Sequence, residues 1–372
     1  MVIIKEVLTK KDLKKFIEFP VELYRDSPYF VPCLFEEEME NFNPKKNPAY
    51  EFCETRLFLA YKDNKIVGRI AGLISHAYNK KVNQKIMRFT RFDFIDDYEV
   101  SEALINKVKE WADERGMESM MGPIGFTDID KQGMLVEGFK EKDLSITLYN
   151  YDYYPVHMDR LGFRKAVDWI EYQIFPPKEL DPRIERISSM VQKRYGFHRL
   201  HFKKNKELYP YAVEAFKVIN EAFAKLFGTV PLTDAIVQKS IHDYISKVNL
   251  DYVIVIANKE GEVIGFGLMV PSLAEALKKS KGHLFPFGVF RLLKALKTNK
   301  ILEMYFIAVK PEYQNFGVNA VIMAEAVKAA IANGVEVAET GPELETNIVT
   351  EQWKSFPHRQ HRRRRCYIKD FK

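Results

Sequence analysis

Two similar patterns recur in the same order in the two halves of this 372-residue chain. Residues Leu57–Ile74 and Ile254–Val270 each read as two apolar strands joined by a polar turn, which is typical of a hairpin. Further on, G-M-E-S-M-M-G-P from Gly116 resembles G-V-E-V-A-E-T-G-P from Gly334. Two matches in the same order indicate an internal repeat, and the chain length suits two domains.

The spacing of these matches differs between the halves. Gly68 matches Gly265 at an offset of 197 residues, whereas Gly116 matches Gly334 at an offset of 218. The second half therefore carries about 21 additional residues between the two landmarks. The unusual segment 272–298, which is rich in leucine, phenylalanine and lysine, lies in this interval and is predicted to be the insertion.

A strand, a short loop and a helix follow one another in the second half. Ile301–Val309 reads as a buried strand, Lys310–Ala320 as a loop, and the residues from Val321 to about Asn333 as an apolar helix. Unpaired N–H groups and the dipole at a helix start favour an anion, and Gly317 lets a phosphate approach the backbone closely. Since no residue from Gln314 to Met323 is acidic, the sequence predicts a phosphate site here.

The matching position of the first half is acidic. Counting back 17 residues from Gly334 reaches Gly317, and counting back 17 residues from Gly116 reaches Glu99. Asp96 and Asp97 stand just before Glu99. These carboxylates would repel a phosphate, although they suit the dipole of a helix start. We therefore expect the first half to keep the fold without the phosphate site.

Composition narrows the class of protein. The three cysteines (Cys33, Cys53 and Cys366) do not make a disulfide framework, and no metal-binding spacing is present, so no metal is expected. The N-terminus lacks the apolar run of a signal peptide, and no stretch of 18 apolar residues would form a membrane span. A cytoplasmic protein is expected. The net charge of +6 permits anionic ligands without requiring nucleic acid.

The loop motif Q-x-x-G-x-N-A resembles the R/Q-x-x-G-x-G/A coenzyme loop of the GNAT superfamily of acyl-CoA-dependent N-acyltransferases. The preceding Ala308–Gln314, A-V-K-P-E-Y-Q, is similar to the lead-in of that loop, while Asn319 departs from the pattern. In the first half, Met158–Phe163, M-D-R-L-G-F, resembles the family's Y-E-K-L-G-F, with Met158 where members often carry a tyrosine. The resemblance covers both halves.

The resemblance implies two tandem α/β domains, each with a central, mostly antiparallel mixed sheet flanked by helices. Residues 1–185 would be a degenerate domain without the coenzyme loop, and residues 186–372 would bind acetyl-CoA or another acyl-CoA as co-substrate. The pantetheine arm would lie between two diverging strands, near Val309 and Gly341. The implied coenzyme-binding residues are Val309, Gln314, Asn315, Phe316, Gly317, Val318, Asn319, Ala320 and Asn347.

The implied reaction is direct attack of an amine on the thioester, which needs a group to accept a proton. Glu303 is the acid within the apolar strand and shares a face with Tyr305, so Glu303 is the predicted base. Tyr305 would donate a proton or line the acceptor site, or else pack in the core. Asn347 serves either as a helix cap alone or also faces the coenzyme. Lys354 occupies the family's usual tyrosine position, which leaves the acid unidentified.

Other segments keep alternatives open. Glu343 and Glu345 could bind an ammonium or serve as a base, or they could complement a helix dipole. Segment 272–298 could be a lid over the acceptor cleft with hinges at Gly282 and Gly288, a pair of core helices, or an interfacial membrane helix. By pseudo-symmetry the glycine-rich stretch Gly122–Phe139 could reach the same cleft.

The arginine-rich run His358–Lys369 suggests nucleic acid or an anionic membrane, yet alternation along a strand would bury about half of its side chains beside glutamates. These arginines could also meet the coenzyme's 3′-phosphate or an anionic acceptor. The sequence thus predicts an N-acyltransferase, and more specifically an acetyltransferase, acting on a small-molecule or peptide amine, without a nucleic-acid partner. The alternatives are a Fem-type aminoacyl-tRNA-dependent transferase, supported only by this run, and a silent acyl-CoA-binding protein.

Overall fold

The computed structural model describes residues 1–245, 247–298 and 300–371, with the backbone alone over residues 348–351. The strands of the first half are β1 (Ile3–Glu6), β2 (Cys53–Lys62), β3 (Lys65–Ser75), β4 (Ile86–Phe94), β5 (Ser119–Gly122), β6 (Met134–Glu137) and β7 (Arg164–Ile174). Its helices are α1 (Lys10–Leu23), α2 (Phe35–Asn41), α3 (His76–Val82), α4 (Tyr98–Glu114) and α5 (Tyr153–Arg160).

The second half repeats this mixed α/β arrangement. Its helices are α6 (Pro182–Tyr195), α7 (Tyr209–Ala222), α8 (Asp234–Tyr244), α9 (Ala274–Ser280), α10 (Gly288–Lys297) and α11 (Val318–Ala332). Its strands are β8 (His198–Leu200), β9 (Val253–Ala257), β10 (Val263–Pro271), β11 (Ile301–Val309), β12 (Val337–Thr340), β13 (Glu343–Leu344) and β14 (His358–Asp370). Short 3₁₀ helices cover Pro48–Glu51, Asn205–Leu208, Leu250–Tyr252, Pro311–Phe316 and Ile348–Ser355.

The predicted hairpins and the strand–loop–helix unit are present. Strands β2 and β3 pair as one antiparallel hairpin, and β9 and β10 as the other. Strand β11 has the predicted bounds, but α11 begins three residues earlier than expected, at Val318. The reason is that Gly317, with φ of 80°, caps the helix directly after a 3₁₀ turn that occupies the predicted loop.

All the strands join in one continuous sheet, in which the two halves exchange strands. The order is β1-β2-β3-β4-β5-β14-β7-β12-β11-β10-β9-β8, with β6 paired to β14 and β13 paired to β7. The last strand of the chain, β14, therefore lies between two first-half strands, and the first half's β7 lies beside β12 of the second. Each half is completed by a strand of the other, and the division into domains at residues 1–185 and 186–372 stays a prediction.

Three main apolar clusters stabilise this arrangement. One packs α4 against the first-half sheet, and another packs α11 against the second-half sheet. The third lies between the halves and combines Phe16 of α1, Leu59 of β2, Val218 of α7, Ile236 of α8 and Val255 of β9. Because this shared core draws on both halves, burial of apolar surface holds them together.

Helix α11, which carries the predicted phosphate loop at its start, is apolar on all sides. It is buried on several faces because the sheet covers one of them and α6 approaches another, where Val191 meets the backbone of Gly317. Among the helices of the described residues, none combines the length and the apolar character that a bilayer crossing requires.

Candidate functional site

A buried carboxylate lies at the centre of the candidate site. Glu303 of β11 is 0% exposed, and its Oε2 accepts hydrogen bonds from Ser145 Oγ at 2.6 Å and Ser145 N at 3.3 Å. Its Oε1 accepts a hydrogen bond from Ser272 Oγ at 2.7 Å. Burial raises the pKa of Glu303, the two serine side chains lower it in part, and the neighbouring Glu339 adds to the rise. A carboxyl group with a raised pKa is suited to proton transfer.

The phenol of Tyr305 is the second polar group of the site. It lies on the same face of β11 as Glu303, as predicted, and its oxygen is 3.0 Å from Ser145 Oγ. Burial and the Glu303 carboxylate raise the pKa of Tyr305, so the phenol keeps its proton at neutral pH. Ser145 therefore connects the two side chains in one hydrogen-bonded chain.

Ser145 is the site residue that the sequence analysis missed. It belongs to the first half, in the loop between β6 and α5, and Lys131 donates a hydrogen bond to its carbonyl oxygen. Pseudo-symmetry suggested that a first-half loop would reach the cleft, but it pointed to Gly122–Phe139, several residues too early. The local sequence around Ser145 contains no catalytic motif. Only its hydrogen bond to Glu303 of β11 identifies it as a site residue.

The strands around this site are irregular. β11 pairs with β12 in parallel from Ile301 to Met304, where Gly341 N donates to Met304 O at 3.2 Å. On the other side, a register shift in β10 between Leu268 and Met269 leaves Tyr305 without an opposing residue. A bulge of this kind frees backbone polar groups and bends a strand, and such bulges are common beside active sites. The pairing of β11 with β12 thus ends at Met304, and a pantetheine arm between these strands near Val309 and Gly341 stays a prediction.

The predicted phosphate loop lies beyond the far end of β11. About 20 Å of extended strand separates Glu303 from Val309, which is buried and ends the strand. Gln314, Asn315 and Phe316 are exposed in the 3₁₀ turn that follows. Their exposure and the free N–H groups of a helix start leave this end open to an anion.

Gly317 has structural reasons for being glycine apart from any ligand. Its φ is 80°, a left-handed conformation, and a Cβ atom would lie 2.8 Å from Val191 Cγ2. Its carbonyl accepts the hydrogen bond of Ala320 N at 3.0 Å, while Val318 is buried in the core beneath the loop. The glycine therefore supports the packing of α6 on α11 as well as the shape of the loop.

The two predicted asparagines lie at the side of the loop. Asn319 donates from Nδ2 to Gln352 Oε1 at 2.8 Å, which ties the start of α11 to the 3₁₀ helix Ile348–Ser355. Asn347 directly precedes that 3₁₀ helix, and its backbone N–H donates to Leu344 O at 2.8 Å. The departure from the family motif at position 319 thus has a structural role.

The first half has a carboxylate-filled helix start in place of the loop. Asp97 and Glu99 at the start of α4 bind Lys62 Nζ at 2.8 and 3.2 Å. Strand β4 corresponds to β11 when the paired residues Gly68 and Phe94 are aligned with the paired residues Gly265 and Val309. In this alignment Arg88 of β4 occupies the position of Glu303. Arg88 is buried and donates to the carbonyl oxygens of Gly125 and Gly228.

The arginine run of β14 is an internal ion-pair network. Arg362 and Arg364 are buried and both bind Glu171, and Arg362 also binds Glu339 at 3.0 Å. Arg363 and Arg365 project to the other face, where both bind Asp168. The alternation expected of a strand is confirmed. The run therefore gives no support for nucleic acid or for a tRNA-dependent reaction.

The two other acidic candidates have partners as well. Glu343 accepts the indole N–H of Trp353 at 2.9 Å, and burial raises the pKa of Glu343 to about 7. Glu345 binds Lys165 at 2.5 Å and Arg363 at 3.1 Å. Glu343 thus remains a titratable group outside the Glu303 cluster, whereas Glu345 is part of the β14 network.

The insertion 272–298 folds as α9 and α10 and is fixed to the first half. The carbonyl of Gly282 accepts Phe35 N at 2.8 Å, and a Cβ atom at Gly282 would lie 2.2 Å from Cys33 O. A Cβ atom at Gly288 would lie 1.9 Å from His283 O. Close backbone approaches explain both glycines, and their predicted role as hinges is a separate, open hypothesis.

Across the described residues, no group of three or more histidine, cysteine, aspartate or glutamate side chains is arranged to hold a metal ion. The polar side chains gathered at the candidate site are those of Glu303, Ser145 and Tyr305, with Ser272 on the second carboxylate oxygen of Glu303.

Comparison with known proteins finds similar sequences and a similar fold. Residues 216–348, which include Glu303 and the Gly317 loop, match the acetyltransferase (GNAT) family model. The chain is 27% identical to Protein YghO of Escherichia coli, over 97% of this chain and 94% of that protein. It is 26% identical to the bacterial ceramide synthase of Caulobacter vibrioides, over 83% and 80% of the two chains.

The fold is similar to that of a solved tandem GNAT protein from the clavulanic acid biosynthesis pathway. The TM-score is 0.58 with 9% sequence identity, and the similarity covers 100% of this chain and 98% of the other. At this level of identity, the similarity concerns the fold, including its tandem arrangement.

Proposed function

Because the chain is a tandem protein of the GNAT superfamily, we propose that it transfers an acyl group from coenzyme A to an amine. The observation that carries the proposal is the buried Glu303 carboxylate, held by Ser145 and Ser272 on the strand that leads into the Gly317 loop. A family fold alone would leave the activity open, whereas a desolvated base on this strand supplies the chemistry.

The acyl-CoA is assigned to the second half. Its pyrophosphate is assigned to the exposed turn around Gln314 to Ala320 at the start of α11, where the helix N-terminus favours an anion and no residue from Gln314 to Met323 is acidic. The pantetheine arm is assigned to the space between β11 and β12 beyond Met304, where their pairing ends. Val309 and Asn347 are the residues proposed to contact it. The first half lacks this combination because Asp97 and Glu99 fill the corresponding helix start.

The reaction requires one proton to leave the amine. The amine nitrogen attacks the thioester carbonyl, a C–N bond forms, and the C–S bond breaks to release the coenzyme thiolate. Glu303 accepts the amine's proton, directly or through the Ser145 hydroxyl. Tyr305 stays protonated beside Ser145 and either supplies a proton to the leaving thiolate or lines the acceptor site.

A finer candidate for the substrates is a long-chain acyl group and a lipid amine. A ceramide is an N-acylated long-chain amino alcohol, so the Caulobacter relative bears the name of an amide-forming enzyme. On the face of β11 opposite Glu303, a small groove offers an apolar surface to a hydrocarbon chain; its lining includes Met269, Leu302, Met304, Met323, Val327 and Trp353. Acetyl transfer to a small amine or peptide is the simpler alternative.

Coenzyme binding is the first test. Calorimetric titration with coenzyme A, acetyl-CoA and palmitoyl-CoA should give saturable binding by the wild type. Asn315→Asp places a negative charge in the exposed loop and should weaken binding about tenfold or more. The matched control Asn64→Asp, in the exposed β2–β3 turn, should bind as the wild type does. Absence of binding to all three ligands would overturn the proposal.

Transfer is the second test. Release of coenzyme thiol is measured with spermidine, a short peptide and sphinganine as acceptors. Glu303→Gln should lower turnover by about 100-fold or more while coenzyme affinity is retained. Unchanged turnover would remove Glu303 from the role of base and favour Glu343. Coenzyme binding without transfer to any amine would instead favour a silent binding protein.

A further inference from the structure

The second helix of the insertion and the residues just before it expose several large apolar side chains that are close together in the chain. Phe285, Phe287, Phe290 and Leu293 are 77, 64, 71 and 49% exposed, and they fall within nine residues. Exposed apolar side chains of this size are ordinarily scattered singly, and a contiguous patch marks an interaction surface.

Positive charge surrounds this patch. Segment 272–298 contains six lysine or arginine residues against the single acid Glu275, which is paired with Lys142. On α10 itself, Arg291, Lys294 and Lys297 are exposed beside Phe290. Protruding phenylalanines flanked by lysine and arginine are the combination that suits the interface of an anionic bilayer, where rings enter the acyl boundary and cations meet lipid phosphates.

The inner edge of the insertion is already packed, which directs the phenylalanines outward. Leu292 contacts a buried cluster of Val31, Ala274 and Leu277. Arg291 Nη1 donates to Lys279 O at 2.8 Å and joins the two helices of the insertion. The exposed apolar edge is thus presented by a fixed support.

The same insertion reaches the candidate site. Ser272, which binds Glu303 Oε1 at 2.7 Å, lies between β10 and α9. Segment 272–298 therefore carries both the exposed apolar patch and Ser272, the residue that binds the Glu303 carboxylate.

We propose that Phe285, Phe287, Phe290, Leu293, Arg291, Lys294 and Lys297, the aromatic-basic surface, dock the protein peripherally on an anionic phospholipid bilayer. This inference goes beyond acyl transfer and is independent of which amine is acylated. The charge complementarity favours an anionic bilayer, and the high exposure of the three phenylalanine rings beside lysine and arginine suits insertion at its interface.

Flotation of the full chain with vesicles tests the proposal. The wild type should float with phosphatidylglycerol–phosphatidylethanolamine vesicles and remain free with phosphatidylcholine vesicles. The triple variant F285S/F287S/F290S should lose binding by about tenfold or more, and R291E/K294E/K297E likewise. The controls L8S/V156S/M190S and K11E/K45E/K46E change exposed residues elsewhere and should float as the wild type does.

A fluorescent reporter tests insertion directly. The natural tryptophans Trp111, Trp169 and Trp353 are buried, so Phe290→Trp adds an exposed probe. Its emission should shift to the blue on addition of anionic vesicles and be quenched by brominated lipid, whereas Val156→Trp should not respond.

Three outcomes would overturn the proposal. They are absence of vesicle binding by the wild type, binding that survives both triple variants, and a concentration-dependent dimer that F285S/F287S/F290S abolishes while no vesicles bind. The last outcome would assign the surface to a second copy of the chain. Coenzyme titration of the same variants separates these outcomes from failure of the acyl-transfer proposal, since the surface lies outside the coenzyme loop.

Discussion

The hydroxyl of Ser145 lies 2.6 Å from Oε2 of Glu303, a contact that joins a loop of the first half to a central strand of the second. Ser272 of the insertion binds the other carboxylate oxygen at 2.7 Å. The proton affinity of Glu303 is thus set jointly by the first half, the insertion and burial. The proposed chemistry therefore needs the first half, although the proposed coenzyme loop lies in the second.

The pH dependence of activity should respond to Ser145. Glu303 must be ionised to act as a base, so activity should fall as the pH drops through its raised pKa. Ser145→Ala removes a hydrogen bond that lowers this pKa, which should move the acidic limb of the kcat/KM profile to higher pH. Profiles of the wild type and the variant, measured with the best acceptor, check the shift.

A serine with a purely local bond is the control for this effect. Ser280 Oγ donates to Ala276 O within the insertion, and Ser280→Ala should leave the profile unchanged. If Ser145→Ala reduces the rate at every pH without moving the limb, Ser145 positions the loop only and does not tune Glu303.

Acid stability should depend on Glu171. Burial opposes its ionisation, but the guanidinium groups of Arg364 and Arg362 outweigh this cost and lower the pKa of Glu171 to about 2, from 4.5. Because the folded pKa is depressed, the stabilisation is present above about pH 4.5 and is lost as the pH falls toward about 2. Glu171→Gln should therefore reduce the free energy of unfolding at pH 7 by about 3–5 kcal/mol and flatten its acid dependence.

An exposed pair provides the comparison. Glu118 binds Lys85 at 3.1 Å with more than half of each side chain in water, so Glu118→Gln should cost about 1 kcal/mol or less. Urea unfolding of both variants at pH 7 and at pH 4 gives the free energies. Equal losses would contradict the buried network as the stabilising element.

Gly317→Ala should destabilise the fold for two separable reasons. An alanine at φ of 80° is strained, and its Cβ atom would lie 2.8 Å from Val191 Cγ2. The free energy of unfolding should fall by about 1–3 kcal/mol. In the double variant with Val191→Ala the steric part of this loss should disappear, which a double-mutant cycle measures. Exact additivity would mean that only backbone strain acts.

The two halves should unfold together because they exchange strands and share a core. Trp111 reports on the first-half core and Trp353 on the second-half core. Variants that keep only one of these tryptophans, with phenylalanine at the others, should show the same urea midpoint by fluorescence. The urea midpoint of each variant is also measured by circular dichroism, which gives the effect of the substitutions themselves. Fluorescence midpoints that differ by more than this effect would indicate that the halves unfold independently.

The sequence was most informative where a signal is local. The bounds of β11, the hairpin pairs and the loop before α11 follow from residues that are neighbours in the chain, so periodicity and a single glycine suffice. The burial of alternate arginines in β14 was predictable for the same reason, since a strand alternates its faces. Placing Glu303 and Tyr305 on one face needed only that rule.

The sequence could not reveal partners that are distant in the chain. Ser145 lies in a stretch without a motif, and it meets Glu303 only because the first-half loop folds over β11. The same holds for the position of β14, which pairs with β5 and β7, and for the contact of Val191 with Gly317. Pattern reasoning assigned Gly317 to a ligand and missed that packing alone requires a glycine.

The sequence by itself determined the hairpins of the repeat, the strand–loop–helix unit and the alternation of side chains along the strands, because each rests on short-range sterics and periodicity. Only the tertiary structure decided that the halves exchange strands, that Ser145 and Ser272 hold the carboxylate, and that Phe285, Phe287 and Phe290 of the insertion face solvent. These features depend on which apolar surfaces are buried against each other, and that depends on contacts between residues throughout the chain.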